Sequence, residues 1–148
     1  RGGAWAKASP KLPPTRSAAA FAEKIPPLRP VMYLASLMIY HLAEPERWEA
    51  ALEAEQEVYT HPSLHEEGFI HCSTKDEVLE SARLFFADYD ALYVLAIIDK
   101  RVKNHLRWVE VPERGAHFPH VHAGIPFSAI ETVYMVTRQA HGTFAGDD

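Results

Sequence analysis

The chain reads as an α+β domain with a mostly antiparallel sheet and two main helices. Three observations carry that expectation. Residues 92–98, 105–111 and 132–137 are short runs rich in apolar, aromatic and β-branched side chains, bounded by turn-forming or polar residues. Two stretches, after Pro45 and after Thr74, instead place apolar residues at helical spacing. Strands and helices are intermixed rather than strictly alternating, which favours antiparallel pairing. The 148 residues suffice for one domain with a real core.

The chain is organised around Gly68-Phe69-Ile70-His71-Cys72-Ser73-Thr74, a short buried strand running into a helix cap. Period-two alternation sends Phe69, His71 and Ser73 to one face and Ile70 and Cys72 to the other. Polar side chains at a strand exit line many sites. The same residues also read as a hydrogen-bonded core histidine, His71, and a simple N-cap, Ser73 or Thr74.

Residues 38–42 read as the first strand, with Ile39 and His41 on one face. Pro45 suits the first turn of a helix. Trp48, Ala51, Leu52 and Glu55 follow its inward spacing, with Arg47, Glu49 and Glu53 outward. Residues 59–67 read as a connecting loop in which His61 and His65 are exposed. Thr74-x-x-Glu77 fits a capping box for the second helix. Val78, Leu79, Ala82, Phe85 and Phe86 make the apolar face of that helix, and the aromatic pair reads as core. A turn at residues 88–90 leads to the near-continuously apolar strand at 92–98. In the strand at 105–111, Trp108 and Glu110 share one face, and Arg107, Val109 and Val111 the other. Residues 112–124 form the longest irregular stretch of the body, rich in histidine and aromatic residues, a composition that is often functional. After the strand at 132–137, residues 139–148 read as a C-terminal tail.

The net charge of −5 is unevenly spread. Residues 1–37 carry Arg1, Lys7, Lys11, Arg16, Lys24 and Arg29 against Glu23, or +5, which leaves the body at −10. That acidic body argues against broad nucleic-acid binding but leaves room for a small anionic ligand in a local pocket. The Pro- and Ala-rich composition of residues 1–37 marks a basic, largely disordered extension, with the single α+β domain over residues 38–138. The extension reads as a tail, as sequence upstream of a start at Met38, or as an organelle transit segment. No apolar run has the length of a membrane span. The single Cys72 excludes an internal disulfide framework and agrees with a cytoplasmic location.

Among chemical candidates, His120-x-His122 with His71 or Cys72 makes a weak metal pattern, and no metal is expected. A Cys72–His71 nucleophile pair is disfavoured because adjacent strand residues point apart. Glu110 is the best single carboxylate, beside Trp108 and just before the long loop; it reads equally as an edge-strand glutamate in water. Phosphate-binding glycine loops and the Gly-x-Ser-x-Gly elbow are missing from the sequence.

Three stretches together resemble a known family: Ile39-Tyr40-His41-Leu42; Glu67-Gly68-Phe69-Ile70-His71-Cys72-Ser73-Thr74; and Arg107-Trp108 through Glu110, followed by Phe118-Pro119-His120. The family is domain of unknown function 952, and the resemblance spans residues 38–138. It implies the split sheet of the ADP-ribosyltransferase-like superfamily, which binds NAD in a cleft. By that resemblance His41 takes the place of the first-strand residue that holds a ribose hydroxyl or the nicotinamide amide. His71, with Ser73 and Thr74, takes the second place. Glu110 takes the third, supporting an oxocarbenium-like state, with Trp108 and His120 lining the cleft. The chain departs from the family pattern at Val121 and His122, where leucine and tyrosine are usual, and by one residue inserted between Trp108 and Glu110.

The leading expectation is therefore a small-molecule or nucleotide ligand, with NAD as cofactor and transfer or cleavage of ADP-ribose as the reaction. Its rivals are a non-catalytic binding or interaction module and a metal-dependent enzyme. Transfer predicts that His41, His71 and Glu110 converge on one cleft. A binding module predicts the cleft without a positioned carboxylate.

Overall fold

The computed structural model describes residues 37–146. The expected extension lies, apart from Leu37, outside the described residues, as do residues 147–148. The fold is α+β with every strand pair antiparallel and few, short helices.

A four-stranded sheet joins β1 (Met38–Ala43), β4 (Ala91–Ile98), β8 (Ile130–Arg138) and β9 (Phe144–Gly146) in that order. A three-stranded sheet has β6 (Ala116–Val121) between β3 (Ile70–His71) and β5 (Leu106–Val111). A small ribbon pairs β2 (Val58–Tyr59) with β7 (Ile125–Pro126). The larger sheets meet at one backbone bridge, where Tyr40 and Ser73 exchange N–H···O bonds of 2.8 and 2.7 Å.

The near-continuous apolar run of β4 follows from its central position. Leu95 and Ile97 face a core shared with Ile39, Trp48, Tyr59, Ile70, Cys72 and Val121. Leu92 and Val94 face a second core with Leu42, Val78, Ala82, Val136 and Phe144. A strand covered on both sides has no use for polar alternation, even in an antiparallel sheet. Helix α1 (Pro45–Glu53) starts with Pro45 in its first turn and buries Trp48 as expected. Leu52, expected inward, is 55% exposed, and Glu55 lies past the helix end at φ 57°.

Four other expectations need correction. The stretch after Tyr59 is not a plain loop but carries α2 (Pro62–Glu67), with His61 as its N-cap and left-handed Gly68 closing it. The Thr74–Glu77 capping box does not form: α3 (Val78–Phe85) starts behind a turn with no side-chain cap, and Glu77 pairs with Arg114 instead. Residues 116–121 form β6 rather than loop: they pair with β5 along their whole length, and Pro119, where the pairing with β3 ends, still accepts from Cys72 N–H through its carbonyl at 3.1 Å. Residues 144–146 pair with β8, and buried Phe144 packs into the second core. Among the described residues no helix is long and apolar enough to cross a membrane.

Candidate functional site

A cleft of about 510 Å³ opens along the seam between the two larger sheets. His41 and Tyr40 come from β1, His71 from β3, Ser73 from the segment after it, and Phe118 and His120 from β6. Ser81, Phe85 and Phe86 close one end from α3, and Arg114 reaches in from the turn joining β5 to β6.

His41, not His71, is the buried histidine. Its Nδ1–H donates to the His71 carbonyl at 2.7 Å, and its Nε2 accepts from the Tyr59 hydroxyl at 2.8 Å. Burial holds the imidazole at about 4, well below the usual histidine value, although the bond to the His71 carbonyl pulls the other way. Burial also pushes the Tyr59 hydroxyl upward, so it remains a donor. Both His41 nitrogens are thus engaged within the protein. The ring forms cleft wall and fixes the geometry of the seam.

Beside it, the His61 ring packs edge-on to His41, with centroids 5.4 Å apart. His61 Nε2–H donates to Glu44 at 3.1 Å, while its Nδ1 accepts from Ser63 N–H at 3.1 Å. Burial works to raise the Glu44 carboxyl, but the bonds from His61 and its own backbone, with Arg47 nearby, leave it below the ordinary range. His61 is therefore a capping and bridging residue rather than the exposed loop histidine expected.

His71 is exposed at the cleft, and its Nε2–H donates to Glu67 at 3.0 Å. Its ring lies 5.5 Å from that of His120, which stacks on Phe69 at 3.9 Å. Burial, then His71 and His122, pushes the His120 imidazole below its ordinary value. Cys72 is buried and its thiol pushed upward, as befits a small core residue rather than a nucleophile. Among the described residues no group of three His, Cys, Asp or Glu side chains is arranged to hold a metal ion.

At the far end, Arg114 Nη2 donates to the Glu77 carboxylate at 2.9 Å and carbonyl at 3.2 Å, and to Ser81 Oγ at 3.1 Å. Its guanidinium carbon lies 4.6 Å from the centre of the Phe118 ring. Ser81 Oγ is in turn 3.0 Å from Ser73 Oγ.

Of the expected site residues, His41, His71, Ser73 and His120 line the cleft; Thr74, Trp108 and Glu110 do not. The β5–β6 register explains the last two. Arg107 pairs with His120 and Val109 with Phe118, so Trp108 and Glu110 point to the opposite face, where both are exposed. The convergence of Glu110 with His41 and His71 is not met. Sequence reasoning missed Tyr59, Glu44, His61, Ser81 and Arg114. It also assigned Phe85 to the core, whereas Phe85 is 69% exposed at the cleft rim. An aromatic-histidine run such as Tyr59-Thr60-His61 was the available signal for the first of these.

Comparison with known proteins places this fold in context. The X-ray structure of protein CC0527 from Caulobacter crescentus is similar over 73% of this chain and 93% of its own, at 24% identity and a TM-score of 0.64. The solution NMR structure of the same protein is similar at 25% identity over 72% and 90% of the two chains, with a TM-score of 0.59. No curated protein matches the chain. The family model described as protein of unknown function (DUF952) matches residues 42–133, which hold the cleft residues other than Tyr40 and His41, and this chain belongs to that family.

Proposed function

We propose that the cleft binds NAD or a related nucleotide, on a split sheet of the ADP-ribosyltransferase-like kind. The carrying observation is the seam itself. The Tyr40–Ser73 bridge and the 2.7 Å bond from His41 to the His71 carbonyl join an early strand of one sheet to the polar exit of a strand in the other. A cleft of about 510 Å³ lies there, within the ordinary range for small-ligand sites. Its walls mix aromatic rings with a few convergent polar groups, the composition that binds a ring and orients the rest of a ligand. In this reading His41 positions, while His71, His120 and Ser73 supply ligand contacts. A reducing compartment such as the cytoplasm suits the unpaired Cys72 thiol.

Transfer or cleavage of ADP-ribose needs a carboxylate or equivalent charge beside the reacting ribose. Glu110 faces away, and Glu67, the carboxylate of the cleft wall, already accepts from His71. This favours ligand capture without turnover as a second reading at the same site.

A thermal-shift titration of the full chain with NAD, ADP-ribose and nicotinamide, repeated on His71→Ala, tests the proposal. Saturation at one hundred times Kd adds about 2.7 kcal/mol of apparent stability, several degrees in Tm. A shift with NAD that shrinks in the variant supports the site. Chromatography of the same mixtures separates the two readings: released nicotinamide means turnover, and intact NAD means capture. No shift with any of the three ligands at millimolar concentration would sink the nucleotide reading.

A further inference from the structure

We infer that Arg114, with Ser73 and Ser81, forms a phosphate subsite at the α3 end of the cleft, and that the ligand is a phosphodiester or diphosphate. This deepens the nucleotide reading and rests on it.

Among the described residues Arg114 is the only lysine or arginine in the cleft wall, and its side chain is 12% exposed. It is held from one nitrogen and one face: Nη2 makes all three of its hydrogen bonds to described residues, and Phe118 supports the guanidinium plane. The Nε–H and Nη1–H donors have no acceptor among the described residues. Those donors are reached by solvent, so an anionic acceptor entering the cleft can take them in place of water. Its fixed orientation means that little side-chain entropy is lost when that acceptor arrives.

The two hydroxyls extend the donor set. Ser73 and Ser81 bring one hydrogen each, and the 3.0 Å bond between them uses one, so an O–H remains for a ligand. Donors that diverge from a guanidinium and a hydroxyl match the tetrahedral oxygens of a phosphate better than a planar carboxylate. Glu77 cancels part of the Arg114 charge. That favours the singly charged phosphates of a dinucleotide over a free phosphate dianion. The exposed ring of Phe85 and that of Phe86 flank this end and supply a surface for an attached base or sugar.

The test is calorimetric titration of the full chain and of Arg114→Met, Arg114→Lys and Ser73→Ala. The probes are NAD, ADP-ribose, adenosine, nicotinamide and inorganic pyrophosphate, with circular dichroism melts to confirm folding. The subsite predicts that Arg114→Met weakens NAD and ADP-ribose by about tenfold or more, the scale of one charge-assisted hydrogen bond. Adenosine and nicotinamide are unaffected, and Arg114→Lys recovers part of the loss. Ser73→Ala weakens the phosphorylated ligands less. If Arg114→Met does not fold, the other two variants carry the comparison. NAD binding equal in wild type and in every folded variant overturns the subsite and leaves the nucleotide reading standing. Arg114-dependent binding of pyrophosphate, with none of NAD or ADP-ribose, does the reverse. No binding of any phosphorylated probe overturns both.

Discussion

His41 shows how much one side chain decides at the seam. Its neutral tautomer gives a proton to the His71 carbonyl and takes a hydrogen bond from Tyr59. In the unfolded chain the imidazole gains its proton near 6.5, and in the folded one only near about 4. Between those values the unfolded state binds more protons, so stability falls as pH drops through that window and is unaffected by this group above it. The loss approaches about 3 kcal/mol below the window, at roughly 1.4 kcal/mol per pKa unit. Tyr59→Phe removes the hydrogen bond that favours the neutral ring, which raises the His41 pKa and moves the acid transition to higher pH. It also costs about 1–3 kcal/mol at neutral pH for the unpaired Nε2. Melts at stepped pH, with an NMR titration of His41, check both; an unmoved His41 titration in the variant refutes the assigned tautomer. None of this was legible from residues 38–42 alone, because Tyr59 is remote in sequence and only packing makes it a partner.

At the level of elements, short pieces depend on their ends. Helix α2 is closed by Gly68 at φ 95°, where an added Cβ meets no atom within 4 Å. Gly68→Ala therefore costs only the left-handed conformation itself, about 1 kcal/mol in a denaturant melt; a neutral effect would mean that the turn is not left-handed in solution. Strand β9 depends on Phe144, which is 4% exposed in the second core. Phe144→Ala should cost about 3–5 kcal/mol, whereas a chain that ended its fold at residue 138 would lose nothing. The long strands and main helices were legible because periodicity reports burial directly. β9 and β6 were not: β9 has a single buried side chain, and Pro119 hid β6.

Across the whole molecule, the cleft exists because two sheets meet at one bridge while α3, packed on the second core, closes one end of the opening. The register of β5 against β6 sends Glu110 away from it. Glu110→Gln should accordingly leave NAD affinity within about twofold of wild type, a difference under roughly 0.5 kcal/mol. A loss of tenfold or more in the same titration would restore Glu110 to the site and reopen transfer chemistry through that carboxylate.

The amino-acid sequence by itself determined the α+β class, the two central strands β4 and β8 of the larger sheet, the organising segment from Gly68 to Thr74 and the family to which the chain belongs. Each is a local property, written in periodicity, turn residues or contiguous motif. Only the tertiary structure decided which polar groups share the cleft. Strand pairing turned Glu110 out and His120 in, while the α3 packing and the β5–β6 turn brought Arg114 to Ser81, across 33 residues of chain. Such meetings are set by long-range register and helix docking, for which a single sequence carries no local signal.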